Sequence, residues 1–337
     1  MKIHFSDNNH IWPRMGPFIN TLKQERHIVS YTFDRSCPSN VDIWFIDYHK
    51  RLWWEDIVKQ NNLLKDIISN FKGKIVLYSL DDNGWYPVQG LHADILHRIN
   101  ALMVFIKSDY DKCKSPILNS KIITIPRYLC NHREFNNKII KIPQIFFIGN
   151  LTGGYKMGGK NWRVEAMKLI QNSLIIKNKF IGGIVGKEII DVKQNEEYNK
   201  TFFDLIVPPI SEIENIRRLE ESLITLCIPG NTIWSYRFPL AMQLKTTIIT
   251  MEGLKKDPGE WMYNNVFSDE FYYVKPDLSN FIEICKYALE NIEETKDKAE
   301  RAYQLYNKYF RLESGGFYMP HVWKEVKDKF ERLGVNL

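Results

Sequence analysis

Four segments place chemistry-bearing residues directly after apolar runs. The stretch 146-FFIGNLTGGYKMGGKNWR-163 puts Gly149, Gly153, Gly154, Gly158 and Gly159 between a strand-like run and a helix-like one. Glycines let a backbone approach a ligand closely, and amides at a helix start favour phosphate. Lys156, Lys160 and Arg163 add positive charge, and Thr152 a hydroxyl. The string is neither a Walker A loop nor a GxGxxG fingerprint, so an ordinary strand-to-helix connection is the competing reading. The stretch 228-IPGNTIWSYRF-238 ends a second apolar run at Pro229 and Gly230. Asn231, Thr232 and Ser235 then offer hydrogen bonds and a helix cap, and Tyr236 and Arg237 open the helix. A cation in a first helical turn opposes the helix dipole unless an anion is bound, and a guanidinium fork suits a diphosphate. The alternative is that Arg237 pairs with a carboxylate from the other half of the chain.

The third segment, 75-IVLYSLDDNGW-85, ends a strand-like run in Asp81 and Asp82. Carboxylates at such a place serve as general bases or metal ligands, and Asp-Asp-Asn-Gly is equally good turn chemistry. The fourth, 269-DEFYYVKPDLSNF-281, leaves an aromatic strand for a helix capped by Asp277 or Ser279. That strand end suits contact with a ribose or base, or simply a cap.

The elements needed to hold these residues are strands alternating with helices. "MKIHF", "HIVSYTF", "VDIWFID", "GKIVLYS", "LMVFIKS" and "KIITIP" read as strands in the first half, with helices over "PRMGPFINTLKQERH", "WWEDIVKQNNLLKDIISNF" and "HADILHRINA". The pattern restarts at "PQIFFIGN" and runs through "NKFIGGIVG", "FFDLIVPP", "ITLCI", "TTIIT" and "FYYVKP", with a helix after Ser211 as cap. Continuous apolar runs of this kind are buried on both faces, which predicts parallel, doubly wound sheets. In such sheets ligands bind outside the carboxyl ends of the strands, where all four segments lie. The expected organisation is 1–135, 136–310 and a final amphipathic helix in 311–337 that packs back on the first domain.

The chain has 337 residues, 44% hydrophobic and 13% aromatic, which suits two globular domains. Its 46 basic and 40 acidic residues are intermixed, giving a net charge of +6 without a basic stripe. That argues against a nucleic-acid partner and is compatible with an anionic small ligand. Five dispersed cysteines without a CxxC argue against disulfides and zinc and for a reducing compartment. No signal-peptide core or membrane-spanning run occurs, so the expected location is the cytoplasm, of a bacterium or of a host cell carrying a virus.

The block "LCIPGNTIWSYRFPLAMQLKTTIITME", with "EWMYNN" and "FYYVKPDLSNF", resembles the donor site of the protein O-glucosyltransferase and capsule-associated (KDEL-motif-containing) glycosyltransferases. "FFIGNLTGGYKMGGKNWRVEAM" looks like the strand, glycine-threonine loop and Arg-bearing helix of that family, and exostosin-like glycosyltransferases share a looser version. The resemblance covers mainly residues 144–290. It implies a GT-B fold, two Rossmann-like domains facing each other across a cleft. It also implies inverting, metal-independent transfer of a sugar from a nucleotide diphosphate, UDP in most cases, to a glycan or glycoconjugate, with no bound cofactor. Carried onto this chain, Ser235 and Arg237 hold the diphosphate, Thr152–Lys156 and Arg163 line the same pocket, and Asp81 or Asp82 deprotonates the acceptor. Two departures stand out: Lys245 replaces the glycine that follows the donor helix, and no ER signal or retention tail is seen. A non-catalytic nucleotide- or carbohydrate-binding protein and another nucleotide-dependent α/β enzyme are the alternatives. The intact Arg237 weighs against the first, and the lack of GxGxxG after "MKIHF" against the second.

Overall fold

The computed structural model describes residues 1–6, 11–32, 39–47, 71–79, 102–106, 122–124, 136, 138–149, 156–157, 160–185, 205–228, 235, 237–252, 269–311 and 318–332. The helices expected over 53–70 and 92–101 lie outside these residues, as do Asp81 and Asp82. The chain divides into two units, one of residues 1–130 and 309–337 and one of residues 131–308.

The first unit holds β1 (Lys2–Ser6), α1 (Ile11–Gln24), β2 (Ile28–Thr32), β3 (Ile43–Asp47), β4 (Lys74–Ser79), β5 (Leu102–Ile106) and β6 (Ile122–Thr124). Its described strands are all parallel, in the order β2-β1-β3-β4-β5-β6. The core is aromatic. Phe5 and Phe45 stack at 4.5 Å, and Phe18 of α1 meets both rings edge-on. The unit is completed from far along the chain by α8 (Tyr318–Arg332). Trp323, Val326 and Phe330, spaced to share one helix face, are fully buried. Trp323 sits edge-on to Phe18 at 6.0 Å and to His27 at 5.3 Å.

The second unit holds β7 (Ile142–Gly149), β8 (Lys156–Met157), β9 (Lys160–Asn161), α2 (Trp162–Asn172), α3 (Leu174–Lys177), β10 (Phe180–Val185), β11 (Ile206–Val207), α4 (Glu212–Glu221), β12 (Ser222–Leu226), α5 (Arg237–Gln243), β13 (Thr247–Met251), β14 (Tyr272–Val274), α6 (Phe281–Glu290) and α7 (Ile292–Leu305). Six parallel strands run in the order β11-β10-β7-β12-β13-β14. In order of appearance this is 3-2-1-4-5-6, so the winding reverses between β7 and β12 and opens a crevice at their carboxyl ends. All five residues of β12 and of β13 are buried, which is why "SLITL" and "TIITM" read as unbroken apolar or β-branched runs. Gly182 in β10 has φ +102, and a Cβ there would stand 2.0 Å from the Phe147 carbonyl oxygen, so only glycine lets β10 lie against β7 at this point.

Local sequence rules explain some of the helix ends. Ser211 caps α4, its hydroxyl accepting from Glu214 N at 3.1 Å. The expected cap of α6 at Asp277 or Ser279 is corrected to Asn280. Asp277 Oδ1 instead accepts from Ser279 N and Asn280 Oδ1 from Lys275 N, both at 2.9 Å, so these side chains fold the approach to the helix. Two residues past the end of α5 stands Lys245, which has φ 50. The glycine that the resemblance leads one to expect there is absent, but the left-handed backbone that favours glycine is kept. Lys245 Nζ pairs with Glu300 at 2.7 Å and lies 4.6 Å from the Tyr303 ring centroid.

Candidate functional site

At the crevice between β7 and β12 four of the sequence-selected residues meet: Gly149, Arg163, Ser235 and Arg237. β7 ends at Ile148 and Gly149, and Arg163 follows Trp162 at the start of α2. Arg237 opens α5, preceded by Ser235, whose hydroxyl accepts from Arg237 N at 3.4 Å. Arg237 is only 7% exposed. Its Nη2 donates to the Ile148 carbonyl, and its Cζ lies 4.9 Å from the Phe147 ring centroid. Arg163 Cζ lies 5.9 Å from the same centroid. Phe147 thus carries two guanidinium groups, each attracted to its ring face. The carboxylate considered as a partner for Arg237 is not seen among the described residues, where that side chain's bonds go to main chain and ring.

Gly149 stands beside this pair. A Cβ on it would meet Phe147 Cζ at 2.9 Å and lie 3.6 Å from Arg163 Nη1. The missing side chain therefore leaves backbone bare next to two permanent positive charges. Cys227, one residue past β12, reports the same field. Burial pushes its thiol up to about 12, while Arg237 and Arg163 pull the other way. It is buried, reduced and unsuited to nucleophilic chemistry.

The first residue of α2 is fixed by a bond from Trp162 Nε1 to the Pro276 carbonyl, 2.8 Å, so the loop leaving β14 is tied to the helix that carries Arg163. Lys156 lies in β8, which pairs antiparallel with β9 immediately before α2. Part of the glycine-rich stretch is thus a short ribbon rather than a simple connection. Gly149, Arg163, Ser235 and Arg237 come to the carboxyl end of one sheet. Thr152, Gly153, Gly154, Asn231, Tyr236, Asp81 and Asp82 lie outside the described residues. Phe147 and the Ile148 carbonyl were not singled out by residue type. The available signal was the strand period of two, which puts Phe147 on the same face as Gly149.

Chemically, the arrangement brings two permanent cations, Arg163 and Arg237, to one aromatic ring beside Gly149. A guanidinium cannot shed its proton. Two of them beside bare backbone at a topological switch point suit an anion with several oxygens, such as a phosphate ester.

Solved structures resemble this architecture. An α-glucosyltransferase in complex with UDP-glucose and DNA containing an abasic site aligns over 99% of this chain and 99% of its own, with TM-score 0.57 and 14% identity. Sucrose-phosphate synthase from Thermosynechococcus elongatus aligns over 97% and 99%, with TM-score 0.55 and 10% identity. The fold is GT-B. TarM aligns with 84% of this chain at TM-score 0.55 and 12% identity, and the chain spans 54% of TarM's length. At these identities the likeness is one of GT-B architecture: two parallel α/β units of Rossmann type. No known family model matches the sequence, and no curated protein matches it. Among the described residues no helix is long and apolar enough to cross a membrane, and no cluster of His, Cys, Asp and Glu has the form of a metal site.

Proposed function

We propose that the chain is a glycosyltransferase whose second unit holds the diphosphate of a nucleotide sugar, a UDP-sugar being the expected donor. The observation that carries this is the convergence of Arg163 and Arg237 on the Phe147 ring, beside Gly149, at the β7–β12 switch point. The GT-B fold supports it, since similarly folded glycosyltransferases have been solved with UDP or UDP-glucose. The resemblance of residues 144–290 to the protein O-glucosyltransferase and capsule-associated family supports it independently.

In this reading the bond between the sugar C1 and the diphosphate oxygen breaks, and negative charge grows on the leaving phosphate. Arg237, already oriented by Ile148, and Arg163 stabilise that charge, and this is the work a metal would otherwise do. Ser235 adds a hydroxyl donor, and Thr152, Gly153, Gly154, Lys156, Asn231 and Tyr236 complete the donor pocket. A hydroxyl of a glycan or glycoconjugate attacks C1 from the opposite side, inverting it, and gives its proton to Asp81 or Asp82. The transferred group is a hexose or pentose. DNA belongs to the α-glucosyltransferase complexes. The intermixed charge of this chain favours a glycan acceptor.

Titration calorimetry with UDP, UMP and uridine tests the site. A charge-assisted hydrogen bond contributes about 1.5–3 kcal/mol, so Arg237→Ala or Arg163→Ala should weaken UDP roughly 10- to 150-fold. Uridine affinity should be unchanged. UDP affinity unchanged in both variants would remove the diphosphate assignment. Donor binding without transfer or hydrolysis across UDP-, GDP- and TDP-sugars would favour the non-catalytic alternative.

A further inference from the structure

Lys141 stands one residue before β7, and its side chain is half-buried in the second unit. Its Nζ donates to the Leu244 carbonyl and the Thr246 hydroxyl, both at 2.8 Å, and to the Ser222 carbonyl at 3.3 Å. Ser222 opens β12, Thr246 directly precedes β13, and Leu244 directly follows α5. One cation therefore joins the starts of three adjacent strands to the end of the helix that carries Arg237.

The bond to Leu244 links this cation to the arginine site. α5 closes in a Schellman turn: Thr246 N donates to Ala241 O at 2.9 Å and Lys245 N to Met242 O at 3.2 Å. Those bonds use the carbonyls of Ala241 and Met242, and Lys141 takes that of Leu244, a cation at the negative end of the helix dipole. At the other end of α5, Arg237 Nη2 donates to the Ile148 carbonyl of β7. Strand and helix are thus tied twice, at opposite ends, each time by a cation. From 141 to 148 the strand rises about 23 Å, and from 237 to 244 the helix rises about 10 Å. The two long side chains bridge the difference. α5 has seven residues, all buried. So short a helix is not held by its own hydrogen bonds, and its placement comes from what grips it.

We propose that Lys141 is a positioning residue for the arginine site, its ammonium holding the carboxyl end of α5 so that Arg237 at the other end keeps its alignment. The proposal rests on the reading of Arg237 as a diphosphate ligand. Thr246 Oγ1 donates its own proton to the Leu219 carbonyl at 2.7 Å, so all three of these groups accept from Lys141. An ammonium has three hydrogens for them and a neutral amine two. Burial pushes the Lys141 ammonium down to about 7, against the pull of Glu220 in α4, so the tie loosens as pH rises through neutrality. β7, β12 and β13 carry no charged residue. Glu221 of α4 is paired with Arg217, and Lys245 after α5 with Glu300 of α7.

Calorimetry with UDP and uridine at pH 6, 7 and 8.5 tests this, comparing wild type with Lys141→Met, Lys141→Arg and Arg237→Ala. At pH 6, Lys141→Met should bind UDP about tenfold more weakly than wild type, the effect of one charge-assisted bond, and uridine equally well. The gap should close to less than about twofold at pH 8.5, where the wild-type amine is neutral too. Comparing proteins at each pH cancels the titration of UDP itself. Lys141→Arg keeps its charge throughout, so it should match wild type at pH 6 and bind UDP roughly fivefold more tightly at pH 8.5. This variant carries the test if Lys141→Met does not fold. A gap that is absent, or the same at every pH, would overturn the proposal, as would a constant ratio between Lys141→Arg and wild type. If Arg237→Ala leaves UDP affinity unchanged, the diphosphate reading fails and the proposal with it. If Arg237→Ala weakens UDP and both Lys141 variants track wild type, the positioning role alone fails.

Discussion

Gly149→Ala is the most discriminating perturbation of the arginine site, because its effect is steric alone. Gly149 is not among the glycines with positive φ, so alanine meets no backbone strain there. The new methyl would, however, stand 2.9 Å from Phe147 Cζ and 3.5 Å from Cε1. Ordinary carbon contacts are about 3.5–4.0 Å, so the ring tip must retreat by roughly 0.6 Å. Phe147 is fully buried and cannot swing into solvent. Overpacking of this kind costs about 1–3 kcal/mol of stability. Both guanidinium groups rest against this ring, so its displacement moves them from their aligned positions. Weakening about one charge-assisted hydrogen bond, roughly 1.5 kcal/mol, predicts UDP binding about tenfold weaker. Calorimetry with UDP and uridine reads the effect, with uridine expected to bind as in wild type. Adding Phe147→Leu should relieve the clash and restore stability without restoring UDP affinity, because leucine offers no ring face. A Gly149→Ala protein of reduced melting temperature but wild-type UDP affinity would refute the reasoning, leaving Gly149 a packing residue only.

Other perturbations separate structure from chemistry. Burial pushes the Lys141 ammonium down to about 7, against the opposing pull of Glu220, from an ordinary 10.5. Between those values the unfolded chain holds the extra proton, so stability rises with pH by about 1 kcal/mol per unit between pH 8 and 9.5. Lys141→Met should flatten that rise in denaturant titrations at several pH values, and parallel slopes in both proteins would rule the effect out. At Lys245, glycine relieves the left-handed backbone by about 1 kcal/mol and loses the Glu300 and Tyr303 contacts, which contribute about as much. Lys245→Gly should therefore melt near wild type and Lys245→Ala lower, and an alanine variant as stable as the glycine one would contradict the strain argument. If Asp81 or Asp82 is the acceptor base, its Asn variant should bind UDP normally and transfer at least about 100-fold more slowly. Wild-type transfer rates in both variants would exclude that strand end.

The strands of the two parallel sheets were legible because such sheets bury both faces and write unbroken runs such as "SLITL" and "TIITM", whereas the short β8–β9 ribbon was not. Arg237 was legible because a cation in a first helical turn needs an explanation, and Gly149 and Arg163 because they bracket a strand-to-helix connection. Phe147 was not. An aromatic residue inside a core strand reads as packing, and nothing in its own neighbourhood announces two arginines arriving from 16 and 90 residues further along the chain. The cap of α6 was misplaced because Asp277, Ser279 and Asn280 all favour such positions. Only the competition for Ser279 N and Lys275 N decides among them. Lys245 shows the opposite limit: the glycine is missing, but the conformation that called for it persists.

The chain begins and ends in the same unit, crossing to the second after Cys130 and returning at Tyr309. The second unit is contiguous and complete in sequence by Lys308, whereas the first lacks a core tryptophan, Trp323, until the final helix has been made. Residues 1–130 are thus made before the second unit, yet their core is completed only by a helix made after it. Until Trp323 is made, Phe18 lacks the ring that stands edge-on to it at 6.0 Å. Removal of residues 318–337 would therefore spare the arginine-bearing sheet and uncover the core around Phe18, which precedes residue 318 by 300 residues.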